Sequence, residues 1–327
     1  MSRHLYLETM ESRKEIHFAP VQGYTDSIYR NLHHSMFKGI DAYYTPFIRL
    51  EKGHEFRPRD LRDCDPSVNT VERLIPQVLG GEPGELRLAL TMLREKGFQQ
   101  ADINLGCPFP MIARKGKGAG LLPFPEKVKA LLDILGEFKD ITCSLKMRLG
   151  MERPDECLAL LPVLNEAPLS AVFVHARVGV QEYKGEVNLD AFERFLEGCH
   201  LPLYYNGDLK TTQDIQTIME RFPSLRGVMI GRGLLANPAL AEEYLEGKSL
   251  TAGEHQIRFR AFHDALLAAY AERLQGDAHL LMKMKTFWEE FMPWTDRKAL
   301  KKIHKSTKMS QYHEAVLMAF TGDRAEV

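Results

Sequence analysis

The 327-residue sequence has no C-x-x-C pair and no H-E-x-x-H, and its five cysteines, Cys64, Cys107, Cys143, Cys157 and Cys199, are an odd, widely spaced set. No metal site is expected from that pattern, and the thiols read as reduced, in a cytoplasmic setting. Charge of one sign is missing too. Lys and Arg total 43 against 44 Asp and Glu, a net charge of -1. Nothing pulls the whole molecule towards nucleic acid or a membrane, so a polyanion must meet a local patch. The opening stretch, MSRHLYLETMESRKEIHF, scatters charges through every window, and no later run approaches a membrane span. Neither a signal peptide nor a membrane partner is expected. Paired carboxylates spaced for glycoside hydrolysis and a nucleophile-elbow serine are also absent.

What the sequence does contain is a repeated alternation. Apolar β-type runs appear at EIHFAP (15-20), IDAYYTPF (40-47), LIPQVLG (74-80), ADINLG (101-106), ITCSLKMRL (141-149), AVFVHAR (171-177), LPLYYNGD (201-208) and GVMIGRG (227-233). Helix-length segments such as ELRLALTMLREKG and EKVKALLDILGEF lie between most of them. The link 48-73 is the exception, charged and only weakly periodic. Continuous apolar strands alternating with helices predict a parallel sheet. Eight of them within roughly 250 residues match a (β/α)8 TIM barrel, with a doubly wound open sheet as the alternative. After residue 246 the pattern turns wholly helical. The expected organisation is an α/β barrel over 1-246 followed by a small all-α helical bundle over 247-327.

In such a barrel, chemistry gathers at the carboxyl ends of the strands. There stand Gln77, Asn104 with Cys107, Lys146 with Arg148, His175 with Arg177, Asn206 with Asp208, and Gly231 with Arg232. The last two strands, YYNGD and MIGRG, place Gly207, Gly231 and Gly233 where barrels commonly bind a phosphate. GRGLLA also matches a dinucleotide fingerprint, but it closes the strand series where that fingerprint should open one. A monophosphate beside strands seven and eight, with Lys146 and His175 on the preceding two, suits flavin mononucleotide. Lys146 would balance charge on the N1-O2 edge of the reduced flavin, and Gln77 would bond a ring edge.

Taken together, APVQGYTD (19-26), NLGCP (104-108) followed by ARKGKGAGLL (113-122), KMRLG (146-150), VHAR (174-177) with QEYKG (181-185), NGD (206-208) and MIGRG (229-233) resemble the tRNA-dihydrouridine synthases. The resemblance runs in order from about residue 16 to 240, and the helical C-terminal segment agrees with it. It implies an FMN-dependent reduction of the uracil C5-C6 double bond in tRNA, with NADPH as electron donor. Carried over, it puts Ala19 and Pro20 at the flavin ring and makes Gln77, Lys146 and His175 further flavin contacts. Asn206, Gly207, Asp208, Gly231 and Arg232 would hold the ribityl phosphate. Asn104 and Arg177 would orient the uracil, and Cys107 would be the acid. The sequence departs from the family where Val21 replaces methionine, Pro46 replaces glutamate and Val178 replaces threonine.

A thiol suits the acid's role. Reduction needs a hydride at C6 and a proton at C5, and a cysteine with an ordinary pKa of about 8.5 is mostly protonated at neutral pH. Cys143 and Cys157 read as core residues, and Cys64 and Cys199 as incidental. For the tRNA itself, helix 296-306 offers the obvious patch: Lys298, Lys301, Lys302 and Lys305 fall on one face. Lys283 and Lys285 near Trp288 would extend it, while Arg114, Lys115 and Lys117 would meet phosphates at the cavity mouth. A monomer is expected. Two rivals stay open at this point. A flavin barrel acting on a free small molecule needs no basic appendage, and an RNA-binding barrel without turnover would be colourless.

Overall fold

The computed structural model describes residues 13–51 and 55–321. The first twelve residues, part of the N-terminal reading above, lie outside the described residues, as do 52–54 of the link 48–73. The eight apolar runs become β1 (Glu15–Phe18), β2 (Ala42–Tyr44), a third run split into β3 (Leu74–Ile75) and β4 (Gln77–Leu79), β5 (Gln100–Leu105), β6 (Thr142–Gly150), β7 (Leu169–Val178), β8 (Leu203–Asn206) and β9 (Gly227–Ile230). Their order is β3-β2-β1-β9-β8-β7-β6-β5-β4, parallel throughout.

The split falls at Pro76, which has no N–H to give a ladder. Because β3 pairs with β2 and β4 with β5, the run 74–79 joins both ends of the sheet. Backbone bonds continue across the gap: Thr45 N–H donates to Ile75 O at 3.2 Å, Asp102 N–H to Pro76 O at 2.9 Å and Ile48 N–H to Gln77 O at 2.7 Å. The sheet therefore closes into the expected (β/α)8 TIM barrel.

Side chains alternate across each strand, so two layers share the barrel's interior. Near the amino ends, Tyr44, Phe173, Tyr204 and Met229 form an apolar cluster, with Phe173 and Tyr204 stacked at 4.4 Å. His17 stands among them, 2.9 Å from the Tyr44 hydroxyl through Nδ1 and 2.8 Å from Glu15 through Nε2. Burial holds His17 below its ordinary pKa. A neutral ring then donates from Nε2 to Glu15 and accepts at Nδ1 from Tyr44. That His17 hydrogen bond, with another from Tyr204 at 2.7 Å, brings the Glu15 carboxyl down to about 2 against its partial burial. This end is a plug. The second layer, at the carboxyl ends, carries the polar residues of interest.

Four helices follow the barrel: Ala252–Arg273, Gly276–Glu290, Arg297–Lys305 and Met309–Thr321. The turn before them uses Gly247 at φ 63, and Thr251 caps the first. Polar contacts fasten them to the barrel: Tyr270 donates to Asp26 at 2.7 Å, Arg258 to Glu242 at 2.7 Å and Tyr24 to Glu289 at 2.7 Å. Lys283 and Trp288 correct the sequence reading. Lys283 pairs with Asp26 at 3.0 Å and donates to Gly23 O at 2.8 Å, so it belongs to this seam. Trp288 is buried, its indole N–H on the Tyr312 hydroxyl at 3.0 Å. Among the described residues no helix is long and apolar enough to cross a membrane.

Candidate active site

Strand register brings the polar ends together. Gln77 is opposite Asp102, Asn104 opposite Lys146, and His175 opposite Asn206. Asn104, Lys146, His175 and Asn206 thus occupy four successive strands, β5 to β8, at the carboxyl end, whereas Gln77, expected there too, opens β4 level with Asp102 and has no exposed surface. Ala19 follows β1 with its N–H on Ile230 O at 2.8 Å, which seats it and Pro20 beside Gly231. Gly207 at φ 141 and Asp208 at φ 45 make the turn after β8.

Cys107 lies just beyond β5, half-buried, in a turn held from below. The Asn104 side-chain oxygen accepts from Gly106 N–H at 3.0 Å and Cys107 N–H at 2.8 Å. Arg148 adds a bond from Nε to Gly106 O at 2.9 Å. From above, ARKGKGAG folds back so that Ala119 N–H meets Cys107 O at 3.0 Å. Gly118, at φ +57, has to be glycine here, since a Cβ would come 2.8 Å from Cys107 O. Burial raises the Cys107 thiol above its ordinary value, against the nearby Arg148, Arg49 and Lys146. At neutral pH it carries its proton.

The cavity is rich in positive charge. Lys146 keeps a solvent-facing edge, yet the protein packed around it and the adjacent Arg148 push its ammonium down to about 8; its bond goes to Asn206 Oδ1 at 2.9 Å. Arg148 is buried, with Nη1 on the carbonyls of Val178 at 3.1 Å and Glu182 at 2.7 Å. Burial, then these cations, hold His175 well below its ordinary pKa, hence neutral. It accepts at Nε2 from Arg177 at 3.3 Å.

Arg177 itself is buried and fully committed. Its Nε and Nη2 donate to Gly185 O at 3.3 and 2.6 Å, and Nη1 reaches Asp208 at 3.0 Å with Nη2 on the second carboxylate oxygen. A guanidinium has five N–H groups, and all five have partners here. Asp208 also takes Arg232 at 3.3 Å, and Tyr183 lies under the Arg232 and Arg148 guanidiniums, 4.5 and 5.5 Å from ring centre to carbon. Among the described residues, Asp208 is the one carboxylate these cations hydrogen-bond.

At the mouth, Arg114 and Lys115 are exposed, whereas Lys117 is held by Glu85 at 2.6 Å and is not free for a phosphate. Lys298, Lys301, Lys302 and Lys305 line the solvent face of Arg297–Lys305, and Ala299 and Ile303 bury the other. None of the four lysines has a carboxylate partner among the described residues. Of the departures, Pro46 and Val178 are buried and Val21 half-buried. Sequence reasoning missed two residues that bear on this site, Asp102 and Ser144. Asp102, wholly buried, accepts from Gln77 Nε2 at 2.7 Å and Ser144 Oγ at 2.6 Å, and Gln77 Oε1 accepts from Asn104 Nδ2 at 2.7 Å. An aspartate inside an apolar parallel strand was the available signal.

The family model described as dihydrouridine synthase (Dus) matches residues 17–320. The chain belongs to the dihydrouridine synthase family. The tRNA-dihydrouridine(16) synthase of Pseudomonas syringae pv. tomato is 30% identical over 268 residues, 77% of this chain and 83% of that protein. The tRNA-dihydrouridine synthase B of Pseudomonas aeruginosa is 27% identical over 240 residues, 72% and 70% of the two chains. Among solved structures, morphinone reductase in complex with tetrahydroNAD superposes with a TM-score of 0.53 at 12% identity, over 73% of this chain and 88% of that one. An old yellow enzyme homologue from Zymomonas mobilis gives 0.52 at 9%, over 74% and 90%. These two share the barrel.

The reaction of this dihydrouridine synthase is reduction of uridine in tRNA. The carboxyl end of its barrel fits FMN: Lys146, Arg148, Arg177 and Arg232 bring four cationic side chains against the one carboxylate they bond, Asp208, as a phosphate-bearing ligand that becomes anionic on reduction requires. Neutral His175 and the amide of Asn206 add polar edges for a heterocycle, while Gln77 is wholly buried and spends its amide on Asp102 and Asn104.

Proposed function

We propose that this synthase reduces the C5–C6 bond of a tRNA uracil with Cys107 as the proton donor, FMN in the β4–β9 cavity and NADPH as the source of electrons. The observation that carries the reading is the thiol's setting. Cys107 is half-buried, protonated and fixed by its backbone on both sides, within electrostatic reach of Lys146 and Arg148. Ala19 and Pro20 would border the flavin ring, with Lys146 and His175 at its edges and Gln77, wholly buried, behind Asn104. Gly207 and Gly231 backbones with Arg232 would take the phosphate, while Asp208, a carboxylate, acts by gripping Arg232 and Arg177. Bound there, FMN supplies the hydride for C6. The proton leaves Cys107 Sγ for C5, and the thiolate is refilled from solvent. The neighbouring cations steady that thiolate while it lasts. Asn104 and Arg177 shape the uracil's side of the cavity, and Arg177 would reach a base once Asp208 released a donor. The target base must be extruded from the folded RNA to enter. Arg114 and Lys115 would steer phosphates at the mouth, and Lys301, Lys302 and Lys305 would grip them further out. We place this activity in a single chain in the cytoplasm, in keeping with five cysteines that form no disulfide.

The test is optical. Protein reconstituted with FMN should bleach with NADPH in the absence of oxygen. It should recolour on adding unmodified tRNA, and not on adding free uridine. Cys107→Ala should bleach like the parent and then recolour at least ~100-fold more slowly. Recolouring of that variant at the parent rate would refute the thiol, and recolouring with free uridine would make the protein a small-molecule reductase. Sequencing the reduced tRNA identifies the nucleotide.

A further inference from the structure

Beneath the cavity floor runs a chain of hydrogen bonds with a fixed direction. Its first member is Asp102 on β5, with no exposed surface, which accepts from Ser144 and from Gln77. Gln77, equally buried, turns its Nε2 to Asp102 and so presents Oε1 to Asn104 Nδ2. Asn104 then presents Oδ1 to the N–H groups of Gly106 and Cys107. We infer that Asp102 is a positioning residue, whose acceptor oxygen fixes which way Gln77 and Asn104 face and thereby holds the turn that carries Cys107.

The argument is one of polarity. A carboxylate can only accept, a backbone N–H can only donate, and each primary amide does one on either side. The two amides between these ends satisfy both only in the order seen. Take away the acceptor at position 102 and Gln77 Nε2 is left buried without a partner. Leaving a buried donor unsatisfied costs more than the bond is worth, so the Gln77 amide is no longer held in this orientation and Asn104 loses its brace. Burial pushes the Asp102 carboxyl up to about 6, against the Ser144 and Gln77 hydrogen bonds and the charge of Lys146. It is therefore mainly ionised at neutral pH. Nothing else among the described residues offers Gln77 Nε2 a hydrogen bond. Ser144 matters differently: its hydroxyl supports Asp102 and makes no contact with Gln77.

The inference rests on the proposed function only in taking Cys107 as the group worth holding, and its test does not use uridine reduction. The readout is the rate at which iodoacetamide alkylates Cys107 in the folded protein, followed by mass spectrometry of the Cys107 peptide. Asp102→Ala should raise that rate roughly five-fold, the effect of losing about one hydrogen bond from the turn. Asp102→Asn, which can still turn an oxygen to Gln77 and its amide to Ser144, should stay within about two-fold of the parent. Ser144→Ala should also leave Cys107 unchanged. Gln77→Met, near in shape but apolar, should match Asp102→Ala, and the two together should add nothing. Parent-like reactivity in Gln77→Met would overturn the inference even if Asp102→Ala failed to fold. So would Asp102→Asn reacting as fast as Asp102→Ala, or fully additive effects. If Cys107 proves not to be the acid, the alkylation pattern is unaffected. If the relay is wrong, the optical test of Cys107→Ala still stands.

Discussion

Replacing Lys301, Lys302 and Lys305 together by alanine should weaken tRNA binding about a hundredfold without touching the flavin chemistry. The magnitude follows from where these side chains sit. They lie on the solvent face of Arg297–Lys305 without carboxylate partners among the described residues, so no carboxylate among those residues competes with a phosphate for them, and Lys302 meets only the Met318 sulfur at 3.2 Å. Each phosphate neutralised contributes about 0.9 to the slope of log K against log salt on a duplex and about 0.7 on a single strand. Three such contacts lower the slope by about 2 to 3, which at 0.15 M salt is roughly two orders of magnitude in affinity. The substitutions should not disturb the fold. Ala299 and Ile303 hold the buried face, and Asp296 caps the helix through Lys298 N–H at 2.9 Å and Ala299 N–H at 3.0 Å. Alanine is also a better helix former than lysine. The assay is filter binding or anisotropy with unmodified tRNA over a salt series, beside anaerobic bleaching by NADPH. An unchanged salt slope would remove the stripe from the RNA footprint. An unchanged slope with slower bleaching would mean that the helix serves the barrel instead.

Two further predictions rest on single ionisations. Lys146 is held down to about 8, so the free protein carries this ammonium below that pH and loses it above. Affinity for FMN should therefore decline as pH rises through about 8, by up to tenfold per unit, and Lys146→Met should abolish that dependence; fluorescence quenching of FMN reads it. Glu15, with a carboxyl lowered from 4.5 to about 2 chiefly by the His17 hydrogen bond, contributes stability that is present above pH 4.5 and lost as pH falls through about 2. Glu15→Gln should lose about 2 kcal/mol at pH 7, discounted for the solvent it keeps, and the gap from the parent should close in urea titrations near pH 2. A gap that stayed constant with pH would mean that packing, not charge, holds the amino end of the barrel.

Period and polarity carried most of the architecture. All eight runs became strands because a continuous apolar stretch of four to eight residues between helix-length segments has few other places to go. The run 74–80 reads as one strand, and the structure divides it at Pro76, which has no N–H for the ladder. That the same break closes the sheet was not legible, because closure is a property of two neighbours, β2 and β5, far apart in sequence. The strand-end rule gathered Asn104, Lys146, His175 and Asn206 at one end, since residues that close successive parallel strands meet there by geometry, but Gln77 stands a layer lower, opposite Asp102. Partner choice is what sequence conceals. Lys117 and Lys283 looked like free cations, yet Glu85 and Asp26, each remote in the chain, hold them.

Asp102 shows the limit most clearly, and also a way past it. A strand end stands out for the groups it offers a ligand, and a carboxylate two residues before Asn104, inside an apolar run, does not. A fully buried aspartate is tolerated only when its oxygens are bonded. Its presence in ADIN therefore already required donors from neighbouring strands at the same level. Register then names them: Gln77 and Ser144 are the residues paired with Asp102 on β4 and β6. The polar residue that most needs explaining in a buried strand is the one facing away from solvent. Following its hydrogen bonds outward leads to the turn that carries Cys107.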